Sequence, residues 1–177
     1  MRRTILALLM LLSITFCCSS PAFSAQEPQG AEENQFDTIK ERLGELRLGL
    51  PEKDVEGFIS CKQPKKSKEV YEAATGEYVQ EWKYAECGVE LKMGSERKAG
   101  PKVIESITIR SPSKLVTSRG IHVGSTEGEV MKAYGQYRDN EESKKGKQFV
   151  AGSIYDGMIF DFKDGKVVSI FLGAAAE

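Results

Sequence analysis

Two segments of the chain resemble each other, and this similarity constrains the fold more than any other feature of the sequence. They are Leu46–Val55 (LRLGLPEKDV) and Ile121–Val130 (IHVGSTEGEV), and they align on Gly49 and Gly124. Each has apolar residues before the glycine and a helix start after it. Self-similarity of this kind indicates a structural unit that occurs twice in the chain.

Alternating apolar residues after each segment predict three β-strands in each half of the chain. The predicted strands are 78–84, 89–93 and 103–109, and then 149–155, 158–162 and 166–172. The pair Asp164-Gly165 between the last two strands predicts a hairpin turn. The number of residues that separates matching positions of the two halves decreases along the chain, as expected if the second half has shorter connections.

Two helix starts precede these strands. Pro51 suits the first position of a helix that runs to about Ile59, because its missing N–H would be unpaired there. Thr126 and Glu129 form the pattern of a capping box at the start of the second helix. A third amphipathic helix is predicted from the spacing of Phe36, Ile39, Leu43 and Leu46, with Gly44 near its end.

The order helix, strand, strand, strand, taken twice, predicts an α+β fold: a tandem repeat of a module made of one helix and a three-stranded antiparallel sheet. Repeat 1, with its N-terminal helix, would span residues 34–112, and repeat 2 residues 113–177. The alternative is chance similarity between two generic α+β stretches.

Residues 1–25 have the pattern of a bacterial secretory signal peptide. Arg2 and Arg3 precede an apolar run, and small residues at Ala22, Ser24 and Ala25 suit a signal peptidase. We therefore expect a periplasmic or secreted protein. Phe16 stands before Cys17, where a lipoprotein would have small residues, so lipoprotein anchoring is not expected. Residues 26–33 (QEPQGAEE) are polar and are interpreted as a flexible leader.

Charge and hydropathy exclude several function classes for the mature chain. The full chain has 25 Lys and Arg against 26 Asp and Glu, and residues 1–25 contain two of the basic residues and none of the acidic ones. The mature chain is therefore slightly acidic, which does not favour nucleic-acid binding. After the signal peptide, no apolar run approaches the length of a transmembrane segment.

Cys61 and Cys87 are the cysteines that remain after removal of the signal peptide. In an oxidising compartment an even pair of cysteines is most simply a disulfide. The alternatives are a redox pair or metal ligands. Neither fits well, because there is no C-x-x-C motif and a structural zinc site needs three or four closely spaced ligands.

The residues that catalysis would need are scarce. His122 is the single histidine of the chain, and a Ser-His-Asp or Cys-His device would have to use it as the base. No G-x-S-x-G motif accompanies it, so we interpret it as an ordinary residue at a strand end. Motifs for metal or phosphate binding are also absent, and we expect neither an enzyme nor a cofactor.

Two groups of residues are candidates for binding a partner. Lysines cluster in the connection after each predicted helix, with Lys65 and Lys66 in the first half and Lys144 and Lys145 in the second. They could flank an anionic partner, such as an acidic protein or lipid headgroups, or they could be solvated loops. The aromatic residues Tyr78, Trp82 and Tyr84 share one face of a predicted strand. Either they anchor a protein interface on an open sheet, or they form core beneath the helix.

Part of this pattern resembles two known families. Leu46–Val55 followed by Trp82-Lys83-Tyr84 resembles the SmpA/OmlA (BamE-like) family of outer-membrane assembly lipoproteins. The doubled unit with a disulfide in one half is similar to the β-lactamase-inhibitory-protein fold, a tandem of helix-plus-sheet modules. These resemblances imply a fold of this type, and the second implies binding of a protein through a concave sheet face.

Together these features favour binding over chemistry, because a small α+β unit used twice builds a continuous surface more readily than a catalytic cleft. We expect an exported, non-enzymatic protein-binding or envelope accessory protein that uses an antiparallel sheet surface and its edge loops. The alternative is a proteinaceous inhibitor of an exported enzyme, which would insert a preorganised loop into an active site.

Overall fold

Eight antiparallel β-strands, joined in one continuous sheet, form the framework of the protein. The computed structural model describes residues 35–175. The strands are β1 Lys65–Lys66, β2 Val70–Glu72, β3 Glu77–Tyr84, β4 Val89–Ser95, β5 Val103–Arg110, β6 Gln148–Gly152, β7 Gly157–Lys163 and β8 Lys166–Gly173. The α-helices are α1 Glu52–Phe58 and α2 Glu127–Tyr134, and short 3₁₀ turns occupy Ala85–Cys87 and Gly135–Tyr137.

The strand order β1-β3-β4-β5-β8-β7-β6, with β2 also paired to β3, shows that the predicted fold class is wrong. The described residues hold one eight-stranded antiparallel sheet with two short helices, and not a repeated module with a separate three-stranded sheet. Strands β5 and β8 lie side by side at the centre, with Ile107 opposite Leu172 and Ile109 opposite Ile170. In two separate three-stranded sheets, β5 and β8 would each be an edge strand with unpaired backbone groups. Their pairing removes both of these edges.

The two similar segments make equivalent backbone contacts at the helix entries. The N–H of Gly49 donates to the Ile104 carbonyl over 2.8 Å, and the N–H of Gly124 donates to the Val167 carbonyl over 2.8 Å. Both glycines have positive φ, +72° and +100°, a conformation that side chains with a Cβ disfavour. The similarity of the two segments therefore reflects a local turn beside the start of a long strand.

Three predictions about local structure are confirmed. The predicted helix after Leu50 is present as α1, although it begins one residue later than predicted: Pro51 is its N-cap, in an extended conformation, and not its first helical residue. At α2 the capping box is complete: the Glu129 N–H donates to Thr126 Oγ1 over 3.2 Å, and Glu129 Oε2 accepts from the Thr126 N–H over 2.7 Å. Asp164 and Gly165 join β7 to β8 with φ of +53° and +72°, which is the conformation of a type I′ hairpin turn.

The predicted N-terminal helix is wrong. Residues 35–50 form turns and isolated bridges, in which Leu43 pairs with Leu46 and with Thr117. Leu43 and Leu46 are fully buried, whereas Ile39, placed on the same helical face by the prediction, is 76% exposed. Gly44 has a φ of +60°, which no α-helix accommodates in its interior. Pairing with the distant segment around Thr117 therefore replaces the helix that the apolar spacing favours.

A buried carboxylate holds this N-terminal segment in place. Glu41 is 4% exposed and accepts hydrogen bonds from Tyr134 Oη at 3.1 Å, from Arg119 Nε at 3.1 Å and from Ser118 Oγ. The Arg119 guanidinium also lies over the Tyr137 ring, 4.7 Å from its centroid. A buried charge is tolerated when it is paired and hydrogen-bonded in this way. Burial, with the negative charge of Glu41 adding to it, raises the pKa of Tyr134, so its hydroxyl remains a donor.

One face of the sheet forms the hydrophobic core. A row of fully or almost fully buried side chains crosses neighbouring strands in register: Trp82, Leu91, Ile107, Leu172 and Met158. Val55 of α1 and Val130 of α2 belong to the same core cluster, so both helices lie on this inner face. On the outer face of β3, β4 and β5 the row Lys83, Glu90 and Thr108 keeps partial contact with solvent.

The predicted signal peptide and leader, residues 1–25 and 26–33, lie outside the described residues. Among residues 35–175 no helix has the length and apolar character that a membrane span requires.

Candidate functional site

Lys65 and Lys66 lie at a free edge of the sheet. Both belong to β1, where Lys65 is opposite Lys83 and Lys66 is opposite Trp82. Strands β1 and β2 pair only with β3 among the described strands. Ser67, between them, interrupts the ladder, because its Oγ accepts a hydrogen bond from the Glu81 N–H over 3.0 Å. Residues 65–72 therefore form one irregular edge strand, called the β1–β2 edge below.

Two exposed apolar residues of β2 complete this edge, and sequence reasoning missed both of them. Val70 is 57% and Tyr71 is 55% exposed. Tyr71 lies opposite Tyr78 of β3, and their ring centroids are 5.1 Å apart. Tyr78 is the one predicted aromatic residue that keeps partial exposure, so the structure brings it together with Lys65 and Lys66 at one edge. The adjacent Val70 and Tyr71, both residue types common in strands, were the available signal within a polar stretch, but two residues are too few to predict a strand.

The two acidic residues of the β1–β2 edge are paired with lysines from β4 and from the segment before β5. Glu69 forms an ion pair with Lys102 Nζ at 2.8 Å, and Glu72 forms one with Lys92 Nζ at 2.7 Å. The hydrogen bond from Lys102, followed by one from the Ala99 N–H, lowers the pKa of Glu69. Lys65 and Lys68 form no ion pair within residues 35–175, so the β1 end of this edge has two cationic side chains available to an anionic partner.

Trp82 and Tyr84 do not form an exposed aromatic face, and the core interpretation of these residues is correct. Their exposed fractions are 2% and 3%. Lys66 Nζ lies 3.5 Å from the centroid of the Trp82 ring, so a cation covers that ring at the sheet edge. Burial, followed by the negative charge of Glu56, raises the pKa of Tyr84 to about 12. Neither side chain is available as an anchor for a partner.

Lys144 and Lys145 lie at the opposite edge of the sheet. The N–H of Lys144 donates to the Gln148 carbonyl over 2.8 Å, which closes a tight turn before β6. Six strand spacings separate β1 from β6 in the strand order, a distance of roughly 29 Å at about 4.8 Å each. The structure therefore places the two lysine clusters on the outer edges of one sheet and does not join them in a single patch.

The disulfide between Cys61 and Cys87 is confirmed. The two Cα atoms are 6.1 Å apart, and the cysteines are 26 positions apart in the chain. Both cysteines pack against the hydrophobic core. The loop that the disulfide closes contains β1, β2 and β3, so it encloses the whole β1–β2 edge.

In the described part of the chain, the hydrogen bond of the His122 ring is to the protein backbone. Its Nδ1 is 2.9 Å from the Val123 carbonyl oxygen. The nearby Ser125 Oγ accepts a hydrogen bond from the backbone N–H of His122, at 3.1 Å, and not from the ring. Within residues 35–175 no group of three or more His, Cys, Asp or Glu side chains is placed to hold a metal ion.

An unpredicted carboxylate cluster lies on the outer face of the sheet. Glu105 is the extra residue where the register of β5 shifts against Lys92 of β4, and its carboxylate occupies the space above Gly94. Burial raises the pKa of Glu105 to about 7, and a hydrogen bond with Glu77 adds to the effect. Lys92 Nζ, 3.7 Å away, acts in the opposite direction. This carboxyl group therefore changes its protonation state near neutral pH.

Comparison with known proteins finds no match: no family model, no curated protein and no solved structure is similar to the chain. The resemblances to the SmpA/OmlA family and to the β-lactamase-inhibitory-protein fold stay predictions.

Proposed function

We propose that the protein is an exported, non-enzymatic accessory protein of the cell envelope that binds another protein through the β1–β2 edge and the adjoining sheet surface. The observation that carries this proposal is the combination of features at that edge. Among the described strands this edge has a neighbour on one side only, which leaves backbone groups for a partner. Val70 and Tyr71 are exposed near Lys65 and Lys68, which form no ion pair within residues 35–175. Free strand edges and exposed aromatic residues are both common sites of protein recognition.

Export is supported by two independent features. The N-terminal residues have the pattern of a secretory signal peptide. A disulfide between Cys61 and Cys87 is stable in an oxidising compartment and is rare in the cytosol. The disulfide also favours binding, because it ties the β1–β2 edge to the core and limits the disorder that a partner would have to suppress.

The proposal is tested by photo-cross-linking in cells of the source organism. A photoreactive phenylalanine replaces Tyr71 in one variant and Met131 in another; Met131 is exposed on α2, away from the sheet edge. We expect position 71 to capture one discrete protein, with little capture from position 131. Capture at neither position, or equal capture at both, would contradict the proposed function.

The alternative, inhibition of an exported enzyme, is favoured by a different region. Phe58, at the end of α1, is exposed beside the disulfide, and a cavity of about 310 Å³ lies between it and Leu115. A disulfide-braced end with an exposed aromatic side chain is suited to enter an active site. If this alternative holds, the photoreactive residue at position 58 captures an enzyme, and the purified protein abolishes that enzyme's activity at a one-to-one ratio.

A further inference from the structure

We infer that the β1–β2 edge takes an extended, acidic stretch of polypeptide, which adds to the sheet as a further strand. This inference rests on the proposed function and specifies the chemistry of the partner. It follows from three properties of this edge: backbone groups of β1 and β2 that face away from β3, exposed apolar side chains on both faces, and Lys65 and Lys68, which form no ion pair within residues 35–175.

The backbone of the edge is prepared for another strand. Among the described strands, Lys65–Lys66 and Val70–Glu72 pair with β3 on one side only. Between them, the carbonyls of Ser67 and Lys68 accept side-chain hydrogen bonds from Gln80 Nε2 and Ser67 Oγ and are not available to a partner. Successive residues of a strand direct their N–H and C=O groups to alternate sides, so part of these groups points away from β3. A peptide that adds beside the edge satisfies them with main-chain hydrogen bonds. At about 3.3 Å per residue, residues 65–72 match a partner segment of roughly eight residues.

Side chains on both faces of β2 are available to such a strand. Val70 is opposite Val79 and Tyr71 is opposite Tyr78, so the two exposed side chains project to opposite faces of the sheet. Apolar residues on an added strand would contact Val70 on the outer face and Tyr71 on the inner face. A partner that lies flat on one face of the sheet would use only one of them.

The charges at this edge select an acidic partner. Lys65 lies directly opposite Lys83, and like charges in that arrangement are unfavourable. Lys83 has Glu90 at 3.6 Å, whereas Lys65 has no ion pair within residues 35–175. A glutamate or aspartate on an added strand would lie beside Lys65 and relieve the repulsion. Glu69 is paired with Lys102, whereas Glu72 shares Lys92 with Glu105, so the acidic residues of the partner are expected beside β1 and not beside Glu72.

The test measures fluorescence anisotropy, at low salt, of a labelled eight-residue peptide that has two adjacent valines flanked by glutamates, so that the two valines point to opposite faces of the sheet. A second peptide has the same sequence with alternate backbone amides N-methylated, and a third has lysine in place of glutamate. We expect the first peptide to bind at least about tenfold more tightly than either of the others, because only it has both the charge and the hydrogen-bonding edge. Hydrogen exchange should show new protection in residues 65–72.

Two double variants locate the site. Lys65→Gln with Lys68→Gln should weaken binding of the glutamate peptide roughly fivefold and reduce its salt dependence. Lys144→Gln with Lys145→Gln removes the same charge from the opposite edge and should leave binding unchanged. Equal losses in both double variants would mean that net charge alone attracts the peptide, and would overturn the inference.

Other outcomes separate the inference from the function on which it rests. Equal binding of the N-methylated peptide refutes strand addition. Lysine-dependent binding to vesicles containing phosphatidylglycerol, without binding of the glutamate peptide, refutes it in favour of a lipid surface. If position 71 captures a protein in cells but the glutamate peptide neither binds nor competes, the proposed function stands and the acidic-strand inference fails. Peptide binding with no captured protein supports the acidic-strand chemistry of the edge and refutes the proposed function.

Discussion

Removal of the disulfide should destabilise the protein by an amount that the closed loop predicts. Cys61 and Cys87 are 26 positions apart. On the chain-entropy model, opening a loop of that length in the unfolded chain costs about 3.5 kcal/mol of unfolding free energy at 25 °C. For a chain of this size each kcal/mol lowers the melting temperature by about 2–4 °C, so a decrease of roughly 7–14 °C is expected.

The assay compares oxidised protein, reduced protein and a Cys61→Ala, Cys87→Ala double variant by urea unfolding and by calorimetry. Reduced protein and the double variant should agree within about 1 kcal/mol, since both lack the same covalent constraint. Hydrogen exchange adds a local readout. Because β1, β2 and β3 lie inside the closed loop, the amides of the β1–β2 edge should lose more protection on reduction than those of β7.

Two results would refute this reasoning. If reduction changes the free energy of unfolding by less than about 1 kcal/mol, the loop constraint does not stabilise the fold. If protection falls equally in β7 and in the β1–β2 edge, the disulfide supports the whole sheet, and the edge is not specifically preorganised by it.

Three further perturbations probe the sheet and the helix entries. Since the pKa of Glu105, about 7, lies above its ordinary value of 4.5, the folded state binds the proton more tightly, and stability falls by up to about 3 kcal/mol as pH rises through this interval. In urea unfolding at pH 5 and pH 8, Glu105→Gln should abolish that loss and the control Glu90→Gln should retain it. An unchanged pH dependence in Glu105→Gln would contradict the assignment. Thr126→Ala should lower the unfolding free energy by about 1 kcal/mol through loss of the capping box, and no measurable change would show that the box is dispensable. Gly88→Ala should lower the unfolding free energy by at least about 3 kcal/mol, because Gly88 has a positive φ and a Cβ there would overlap the backbone of β5. Gly49→Ala, also at positive φ but in open space, should lower it by about 1–2 kcal/mol. Equal melting temperatures for the two variants would refute this difference.

Local structure was predictable wherever neighbouring residues decide it. The alternation of Val89 and Leu91 identified β4, and the Asp164-Gly165 pair identified a hairpin whose turn requires positive φ. Such features depend on a few residues in sequence and their immediate backbone geometry. The two shortest strands, β1 and β2, were missed because two or three residues are too few to show alternation.

The candidate site was predictable only in part. Lys65, Lys66 and Tyr78 were identified from charge and aromatic content, and the structure brings them to one edge. Trp82 lies on the same predicted strand face as Tyr78. Trp82 is buried whereas Tyr78 is half-buried, so the core covers only part of the length of this face. The face of a strand can be read from alternation, but what covers it depends on segments distant in sequence.

The sequence by itself determined the six longer strands, β3 to β8, the entries of both helices, the type I′ turn and the pairing of two cysteines. Only the tertiary structure decided that β5 pairs with β8, that residues 35–50 avoid a helix and that no other described strand lies beside the β1–β2 edge. The physical reason is that local conformation follows from short-range sterics and capping, whereas strand pairing and burial are set by contacts between residues far apart in the chain. The sequence therefore shows two similar helix entries, and the structure shows that the strands after them form one sheet.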